Sequence, residues 1–262
     1  ARRDARSKRV EAEAALVRQT ANGTFDIPYG PHPRQRIDVF HPAVPKGPLL
    51  AFFHGGYWMR RSKNEFAWMA PAFTAEGITF ATIGYPLCPQ VRISEIVASA
   101  SSALCHLHDA SASFGFDNRR IHVAGHSAGG HLAAMMATVD FTEWGRPAGL
   151  VTSATCVAGL YDLEPLLRVR INTELGLTAA DVEAYSPMRL APMPHVVVNL
   201  TVGDQDGAEF QRNTAELAAA WRAIDIDVTD VPAKGFHHFD VLDEFGRAGR
   251  PMHARLMKTM LD

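Results

Sequence analysis

The chain has 262 residues with 26 basic and 28 acidic side chains, so its formal net charge at pH 7 is −2. Because the two signs are spread along the chain, there is no basic stretch of the kind that binds nucleic acid, and no apolar run approaches the length of a membrane span. These features exclude nucleic-acid and membrane partners and favour a small uncharged or zwitterionic molecule as the substrate.

The length suits one domain. Residues 1–262 could form two small domains, but no low-complexity linker divides them, and doubly wound α/β domains of this size are commonly single. We therefore predict a single domain with a large buried core. The sequence is compatible with a homodimer but does not specify an oligomeric state.

The N-terminal segment and the cysteines bear on the cellular location. Residues 1–6 are basic, but acidic residues follow from Glu11 and the apolar core of a secretory signal is missing. The three cysteines lack C-x-x-C spacing, and each lies in or beside an apolar stretch: Cys88, Cys105 and Cys156. Such cysteines are typical of buried free thiols in a reducing compartment, so we expect a cytoplasmic protein.

Strand-like and helical segments alternate from residue 48 onward, as in βαβ units that build a parallel sheet. Ahead of them we predict a helical segment at about 1–20 and an antiparallel strand pair at 24–29 and 35–40. The other predicted strands cover residues 48–53, 78–83, 121–124, 150–157, 195–202 and 226–231. Predicted helices cover residues 63–76, 94–113, 132–137 and 208–223. The expected fold is α/β, with a mostly parallel sheet and helices on both faces.

One segment interrupts this alternation. Residues 161–194, between the sixth and seventh predicted strands, contain four prolines and short helical pieces near 164–170 and 179–184. A long excursion between two strands of a sheet commonly lies above the edge of that sheet. We therefore expect residues 161–194 to form a small lid over the site.

A G-x-S-x-G motif lies at residues 125–129, between an apolar strand and a helix-forming run. In this context the motif is typical of a nucleophile elbow, the sharp strand-to-helix turn of the α/β-hydrolase fold. The turn is so tight that small residues must surround the serine. Unpaired N–H groups at the start of the helix favour a developing negative charge there. Ser127 is therefore the candidate nucleophile.

A serine nucleophile needs a carboxylate that orients its base, and in this fold the acid follows a late strand. Asp204 and Asp206 both follow the strand at 195–202. A loop that turns at Gly203 would present Asp206, whereas Asp204 suits a hydrogen bond within the turn. Asp162 is a third option, although an aspartate at that position is more typical of a helix start. We prefer Asp206.

The base is expected last in the chain. Two adjacent histidines, His237 and His238, follow the final predicted strand, where the order of the fold places the base. Spacing alone leaves both as candidates.

An oxyanion hole needs two backbone N–H donors. One is expected from Ala128, directly after the serine. The other is expected from the loop at 54–58, which leaves the strand at 48–53 and offers Gly55, Gly56 and Tyr57. Glycines allow this backbone to approach the substrate oxygen and to turn an N–H inward.

Three side chains near these loops are candidates for substrate binding: Tyr57, Trp58 and His126. Tyr57 and Trp58 could equally fill the core. His54 is expected to brace its own loop. The remaining histidines are spread over a helix, a strand and a buried helix without the spacing of metal ligands: His106, His108, His122 and His131. We therefore expect no metal and no cofactor.

Several motifs together resemble those of the kynurenine formamidase (arylformamidase) branch of the α/β-hydrolases. The resemblance runs from about Glu11 nearly to the C-terminus and includes IPYG and IDVF near the start of the chain. Its most selective part is the HGGYW loop. The matching motifs are HGGYW at 54–58, GHSAG at 125–129, YDLEPL at 161–166, SP at 186–187, VGxxDxxEF at 202–210 and GxxHFD at 235–240.

The resemblance implies that Ser127 is the nucleophile, Asp206 the acid and His238 the base. It also implies hydrolysis of an N-formyl aryl amide such as N-formylkynurenine, with release of formate. Two places depart from the family pattern, the pair at 207–208 and the excursion at 168–172. The alternative is a carboxylesterase for short aryl esters, or a hydrolase of another small amide or carbamate.

Overall fold

The computed structural model describes residues 2–262, with side chains from residue 6 onward. Eight strands form one sheet in the order β1-β2-β4-β3-β5-β6-β7-β8. The strands are β1 (Gly23–Pro28), β2 (Arg36–Phe40), β3 (Leu49–Phe53), β4 (Thr79–Ile83), β5 (Ile121–His126), β6 (Val151–Val157), β7 (Val197–Thr201) and β8 (Val228–Asp230). β1 and β2 pair antiparallel, β2 also pairs antiparallel with β4, and all other pairs are parallel. The predicted mostly parallel α/β sheet is confirmed.

Ten α-helices and four short 3₁₀ helices connect the described strands. The α-helices are α1 (Arg2–Thr20), α2 (Ala70–Thr74), α3 (Ile93–Asp109), α4 (Ser111–Phe114), α5 (Ala128–Thr138), α6 (Asn172–Leu175), α7 (Ala179–Tyr185), α8 (Ala208–Arg222), α9 (Leu242–Gly246) and α10 (Pro251–Leu261). The 3₁₀ helices are Lys63–Met69, Phe141–Trp144, Glu164–Arg168 and Pro187–Arg189. Gly115 ends α4 with a left-handed backbone, as is usual after a helix.

The core lies on both faces of the sheet because successive side chains of a strand point to opposite sides. In β3, Leu49, Ala51 and Phe53 belong to a large apolar cluster that also contains buried residues of α3, α5 and α8. Leu50 and Phe52 belong to a second cluster with buried residues of α1, α2, α9 and α10. Since β3 is buried on both sides, it reads as a continuous apolar run instead of an alternating one.

The excursion at 161–194 packs onto the body of the protein. Leu163, Leu175 and Val182 are buried in the larger apolar cluster. Its backbone also carries hydrogen bonds to neighbouring helices: the indole N–H of Trp221 in α8 donates to the carbonyl oxygen of Leu190 at 3.0 Å. These contacts hold the excursion against α3, α5 and α8.

Two further observations concern the cysteines and the helices. The three cysteines are free and buried. Among residues 2–262, no helix combines the length and the apolar character that crossing a membrane requires.

Candidate active site

Ser127 occupies a strained turn between β5 and α5. Its backbone has φ 57° and ψ −120°, and its N–H donates to the carbonyl oxygen of Val157 at 2.9 Å. Few residues other than glycine adopt a positive φ, and such strain concentrates at functional sites. The turn also needs Gly125, because a Cβ there would lie 2.0 Å from the carbonyl oxygen of Gly129. The local sequence therefore forms the predicted elbow.

A chain of two hydrogen bonds joins the serine to a histidine and an aspartate. Nε2 of His238 lies 3.0 Å from Oγ of Ser127, and Nδ1 of His238 lies 2.9 Å from Oδ2 of Asp206. The other carboxylate oxygen of Asp206 accepts the backbone N–H of Gly207 at 2.7 Å. The side chain of Asp206 is buried, and one face of the His238 ring packs against Phe210, with ring centroids 4.1 Å apart. Both hydrogen-bond lengths suit proton transfer from serine to histidine.

The alternatives left open by spacing have other contacts. Asp204 accepts the backbone N–H of Gly235 at 2.7 Å, so it ties the acid loop to the loop that carries His238. The backbone N–H of His237 donates to Asp240, and its ring is largely exposed. Asp162 accepts the backbone N–H of Glu164 at the start of a 3₁₀ helix. The structure therefore brings together Asp206 and His238, and not their neighbours.

The candidate oxyanion donors lie beside Ser127. Gly55, Gly56 and Tyr57 line the same cavity as the serine, and Ala128 follows the serine in the chain. Among the described residues, the N–H groups of Gly56, Tyr57 and Ala128 donate to no backbone carbonyl. Gly56 has φ 122° and Tyr57 has φ 54°, so this loop adopts the irregular backbone that an inward-pointing N–H requires.

His54 fixes the orientation of one peptide in this loop. Its Nδ1 lies 2.8 Å from the carbonyl oxygen of Gly55, and its ring stacks on Tyr85 with centroids 4.2 Å apart. In a trans peptide the C=O and the N–H point in opposite directions. Holding the Gly55 carbonyl therefore directs the N–H of Gly56 away from His54. Complete burial lowers the pKa of His54 to about 3, so the ring is neutral and braces its loop as expected.

His126 contacts the loop of the candidate base. Its Nε2 donates to the carbonyl oxygen of His238 at 2.6 Å, and the two rings lie 4.7 Å apart. Burial first, and then the neighbouring His238, holds the pKa of His126 well below its ordinary value. A neutral ring can donate to only one acceptor. His126 was expected to bind substrate, but its one N–H group donates to the backbone of His238.

Tyr57 and Trp58, the two aromatic residues of the loop, lie in different surroundings. Tyr57 lines the cavity beside Ser127. Trp58 is completely buried and packs edge-on against His131, with ring centroids 5.0 Å apart. Trp58 therefore fills the core, and its predicted place in the substrate pocket is wrong. Consecutive positive φ angles at Tyr57 and Trp58 turn the two side chains in different directions.

A cavity of about 1200 Å³ opens onto Ser127 and His238. Its walls come from the loop after β3, the acid and base loops, the start of α9 and, unexpectedly, α1 through Arg6, Ser7, Arg9 and Val10. No residue of the excursion at 161–194 is among the described residues that line it. The expected lid therefore lies elsewhere, because its apolar side chains are buried against the sheet and helices. The sequence left open whether the N-terminal helix completes the lid, and α1 lies at the cavity.

Known proteins are similar to this chain in sequence and in fold. The family described as BD-FAE matches residues 37–150. Kynurenine formamidase of Danio rerio is 27% identical over 87% of this chain and 78% of its own length, and that of Salmo salar is 26% identical over 93% and 84%. A crystal structure from Silicibacter sp. TM1040, described provisionally as a thioesterase, is 30% identical, covers 98% of this chain and 92% of its own, and has a TM-score of 0.83.

This chain belongs to the kynurenine formamidase-like branch of the α/β-hydrolases. The predicted membership is confirmed. Its curated relatives include kynurenine formamidases and, over about half of the chain, a probable isoprenylcysteine methylesterase, so the protein belongs to a hydrolase family of formamidases and esterases. In this chain, the hydrogen-bonded serine, histidine and aspartate lie at one end of the sheet, where the loops after β5, β7 and β8 converge.

Proposed function

We propose that the protein hydrolyses an aryl formamide such as N-formylkynurenine through an acyl-enzyme on Ser127. One observation carries this proposal: the continuous hydrogen-bonded chain from Ser127 through His238 to Asp206, at 3.0 and 2.9 Å. A serine linked in this way to a base, which is itself oriented by a buried carboxylate, is set up for nucleophilic catalysis. The formamidase relatives supply the substrate class.

In the first half of the reaction, Oγ of Ser127 attacks the formyl carbon while Nε2 of His238 takes the serine proton. Asp206 holds Nδ1 of His238 and stabilises the imidazolium that forms. The carbonyl oxygen becomes an oxyanion, which accepts the N–H groups of Ala128 and of Gly56 or Tyr57. The C–N bond then breaks, and His238 gives its proton to the departing amine.

In the second half, water replaces the amine. His238 takes a proton from the water as it attacks the formyl ester, the oxyanion forms again between the same donors, and the C–O bond to Ser127 breaks. Formate leaves, and His238 returns the proton to the serine. Each group thus acts twice, so a single set of donors serves both transition states.

The size of the cavity suits a substrate with a small acyl group and a large leaving group. A formyl group needs almost no room beside Ser127, whereas a cavity of about 1200 Å³ is far larger than such a group. The space is therefore available for an aromatic amine as the leaving group. Tyr57, on the cavity wall, supplies an aromatic face to that ring.

The decisive experiment compares purified protein on N-formylkynurenine and p-nitrophenyl acetate, with Ser127→Ala as the control. We expect kcat for both substrates to fall by at least ~10⁴-fold in the variant. Rapid quenching of the p-nitrophenyl acetate reaction, followed by intact-mass measurement, should show one acetyl group on the wild-type chain and none on Ser127→Ala. Activity that survives in the variant would remove Ser127 from the mechanism.

A second candidate is hydrolysis of short aryl esters or thioesters. The relative from Silicibacter described provisionally as a thioesterase favours it, because that structure covers nearly the whole chain. Both reactions use the same catalytic atoms, so only the rates separate them. The first test is the ratio of kcat/KM for a formamide to kcat/KM for the matched formate ester, and a ratio well below that of a dedicated amidase would favour the esterase. Better turnover of hexanoate esters than of formate esters would favour it as well.

A further inference from the structure

Helix α1 contributes a wall to the active-site cavity although it lies far from the catalytic residues in the chain. Ser7 and Val10 line the same cavity as Ser127 and His238. Ser7 is exposed, whereas Val10 is half-buried and packs against the smaller apolar cluster. These two side chains therefore border the space that is open to a substrate.

A cluster of ion pairs holds the first part of α1 in this position. The guanidinium of Arg6 donates two hydrogen bonds to Asp243 in α9, at 3.2 and 3.1 Å. Arg247 approaches the same carboxylate at 3.7 Å and pairs with Glu13 of α1 at 2.5 Å. Arg247 also lies over the ring of Trp68, 4.4 Å from its centroid. α1 is thus attached at two points to α9 and the residues after it.

The other end of α1 is attached to the sheet. Nε of Arg18 donates to Asp38 at 2.8 Å, and Nη2 donates to Asp26 at 3.0 Å. Asp38 is completely buried in β2 and also accepts Nζ of Lys63 at 2.5 Å. The charged hydrogen bond to buried Asp38 is shielded from solvent, so it is stronger than an ion pair on an open surface. The helix therefore has a firm anchor at its C-terminal end.

We propose that α1 is the specificity-determining wall of this enzyme: Ser7 and Val10 limit the size of the leaving group that the cavity admits. This inference rests on the proposed hydrolase function and deepens it. A formyl group occupies only the space next to Ser127, so the leaving group extends into the rest of the cavity. The excursion at 161–194 contributes no described residue to that lining, and α1 takes the place that the excursion was expected to fill.

The experiment changes the size of this wall in both directions. Ser7→Trp places an indole in the cavity from an exposed position, and Val10→Ala enlarges the cavity by two methyl groups. Leu16→Trp is the matched control, because Leu16 belongs to the same helix and is 58% exposed. Each variant is assayed on formanilide and on N-formylkynurenine, which share the formyl group and differ in the size of the amine.

We expect Ser7→Trp to lower the kcat/KM ratio of N-formylkynurenine to formanilide by about tenfold, and Val10→Ala to raise it about threefold. Leu16→Trp should leave the ratio at the wild-type value. A ratio that stays within about twofold of wild type in both Ser7→Trp and Val10→Ala overturns the proposal. If Ser7→Trp does not fold, Val10→Ala alone decides.

A second pair of substrates separates this proposal from the proposed function. Phenyl acetate and 2-naphthyl acetate share the acetyl group and differ in the size of the alcohol. If the wild type cleaves no formamide, the assignment as a formamidase fails, yet the ester pair still reports the effect of the wall. If formamides are cleaved but neither pair responds to Ser7→Trp and Val10→Ala, the wall proposal fails and the formamidase assignment stands.

Discussion

The loops that carry the catalytic groups and the helix that completes the cavity are built in different ways. The first region, which we call the catalytic edge, consists of the loops after β3, β5, β7 and β8. Its geometry depends on backbone strain and on hydrogen bonds among buried groups, as at Ser127. The first part of the wall formed by α1 instead depends on partly exposed side-chain ion pairs centred on Asp243.

This difference predicts different consequences of mutation. Buried hydrogen-bonded groups that face the reacting atoms affect the transition state, so their loss should lower kcat. Ion pairs near the surface contribute little each, and the helix they hold contacts the substrate away from the reacting carbonyl. Their loss should change KM or the choice of substrate. Four predictions test this division, beginning with the largest effect.

Asp206→Asn should lower kcat by about 10⁴-fold, because an amide cannot stabilise the imidazolium of His238 and favours the wrong tautomer. Asp204→Asn is the matched comparison, since Asp204 lies two residues away and accepts a backbone N–H of the neighbouring loop. Its kcat should fall less than about tenfold. Steady-state kinetics on N-formylkynurenine measure both. Equal losses in the two variants would contradict the assignment of Asp206 as the acid.

Gly56→Ala should lower kcat by about 10²–10³-fold, the usual cost of losing one oxyanion donor. The residue has φ 122°, and an added Cβ would lie 2.3 Å from the carbonyl oxygen of Arg60, so the loop must shift. Gly77→Ala is the control, because φ there is 80° but the space around the added Cβ is open and the residue lies outside the cavity. It should cost about 1 kcal/mol of unfolding free energy and leave kcat unchanged. A similar loss of kcat in both would point to general strain.

His126→Phe should lower kcat by about 30-fold, because the carbonyl of His238 loses its hydrogen bond and the base loop loosens. Burial is the main cause that lowers the pKa of His126, and the charges of His238, Arg61 and Arg6 lower it further, whereas the hydrogen bond to the His238 carbonyl acts in the opposite direction. His126 is therefore neutral well below its ordinary pKa of 6.5, and its own titration does not shape the activity profile near neutral pH.

A comparison of kcat with KM distinguishes positioning from a purely structural role. In His126→Phe kcat should fall while KM for N-formylkynurenine stays within about twofold of wild type, since the loosened loop carries the base. His126→Gln retains an N–H donor at a similar reach and should restore most of the activity. A loss of folded protein with an unchanged kcat per folded molecule would make His126 structural only.

The catalytic edge was the most predictable part of the molecule. Ser127 follows a strand and starts a helix, and the carboxyl ends of parallel strands lie at one edge, so the order of the motifs along the chain already places Asp206 near the serine. Spacing did not choose between His237 and His238. That choice depends on which ring the loop turns toward Asp206, which is a property of the folded loop.

The wall could not be predicted from local patterns. α1 contacts α9, which is more than two hundred residues away in the chain, through arginines whose sequence context is that of an ordinary solvated helix. The same reason explains the excursion at 161–194. Its prolines and short helical pieces suggested a lid, but apolar side chains such as Leu163 and Val182 bury it against the core. Trp58 was ambiguous because positive φ angles direct its side chain inward.

The smallest predicted effect tests the wall through its attachment. Asp243→Asn removes the charge shared by Arg6, Arg9 and Arg247, so the first part of α1 should dock less firmly. We expect KM for N-formylkynurenine to rise by about fivefold with kcat within about twofold of wild type. Asp230→Asn is the control, since Asp230 forms an exposed ion pair with Arg222 at the far edge of the sheet.

Salt provides an independent measurement of the same attachment. Raising the ionic strength screens ion pairs near the surface, so the wild-type KM should increase toward that of Asp243→Asn. The KM of the variant should respond less, because its principal carboxylate is already gone. If kcat of Asp243→Asn fell as far as that of Gly56→Ala, the catalytic edge and the α1 wall would not be independent. The position of α1 would then govern the geometry of the catalytic edge as well as the selection of the leaving group.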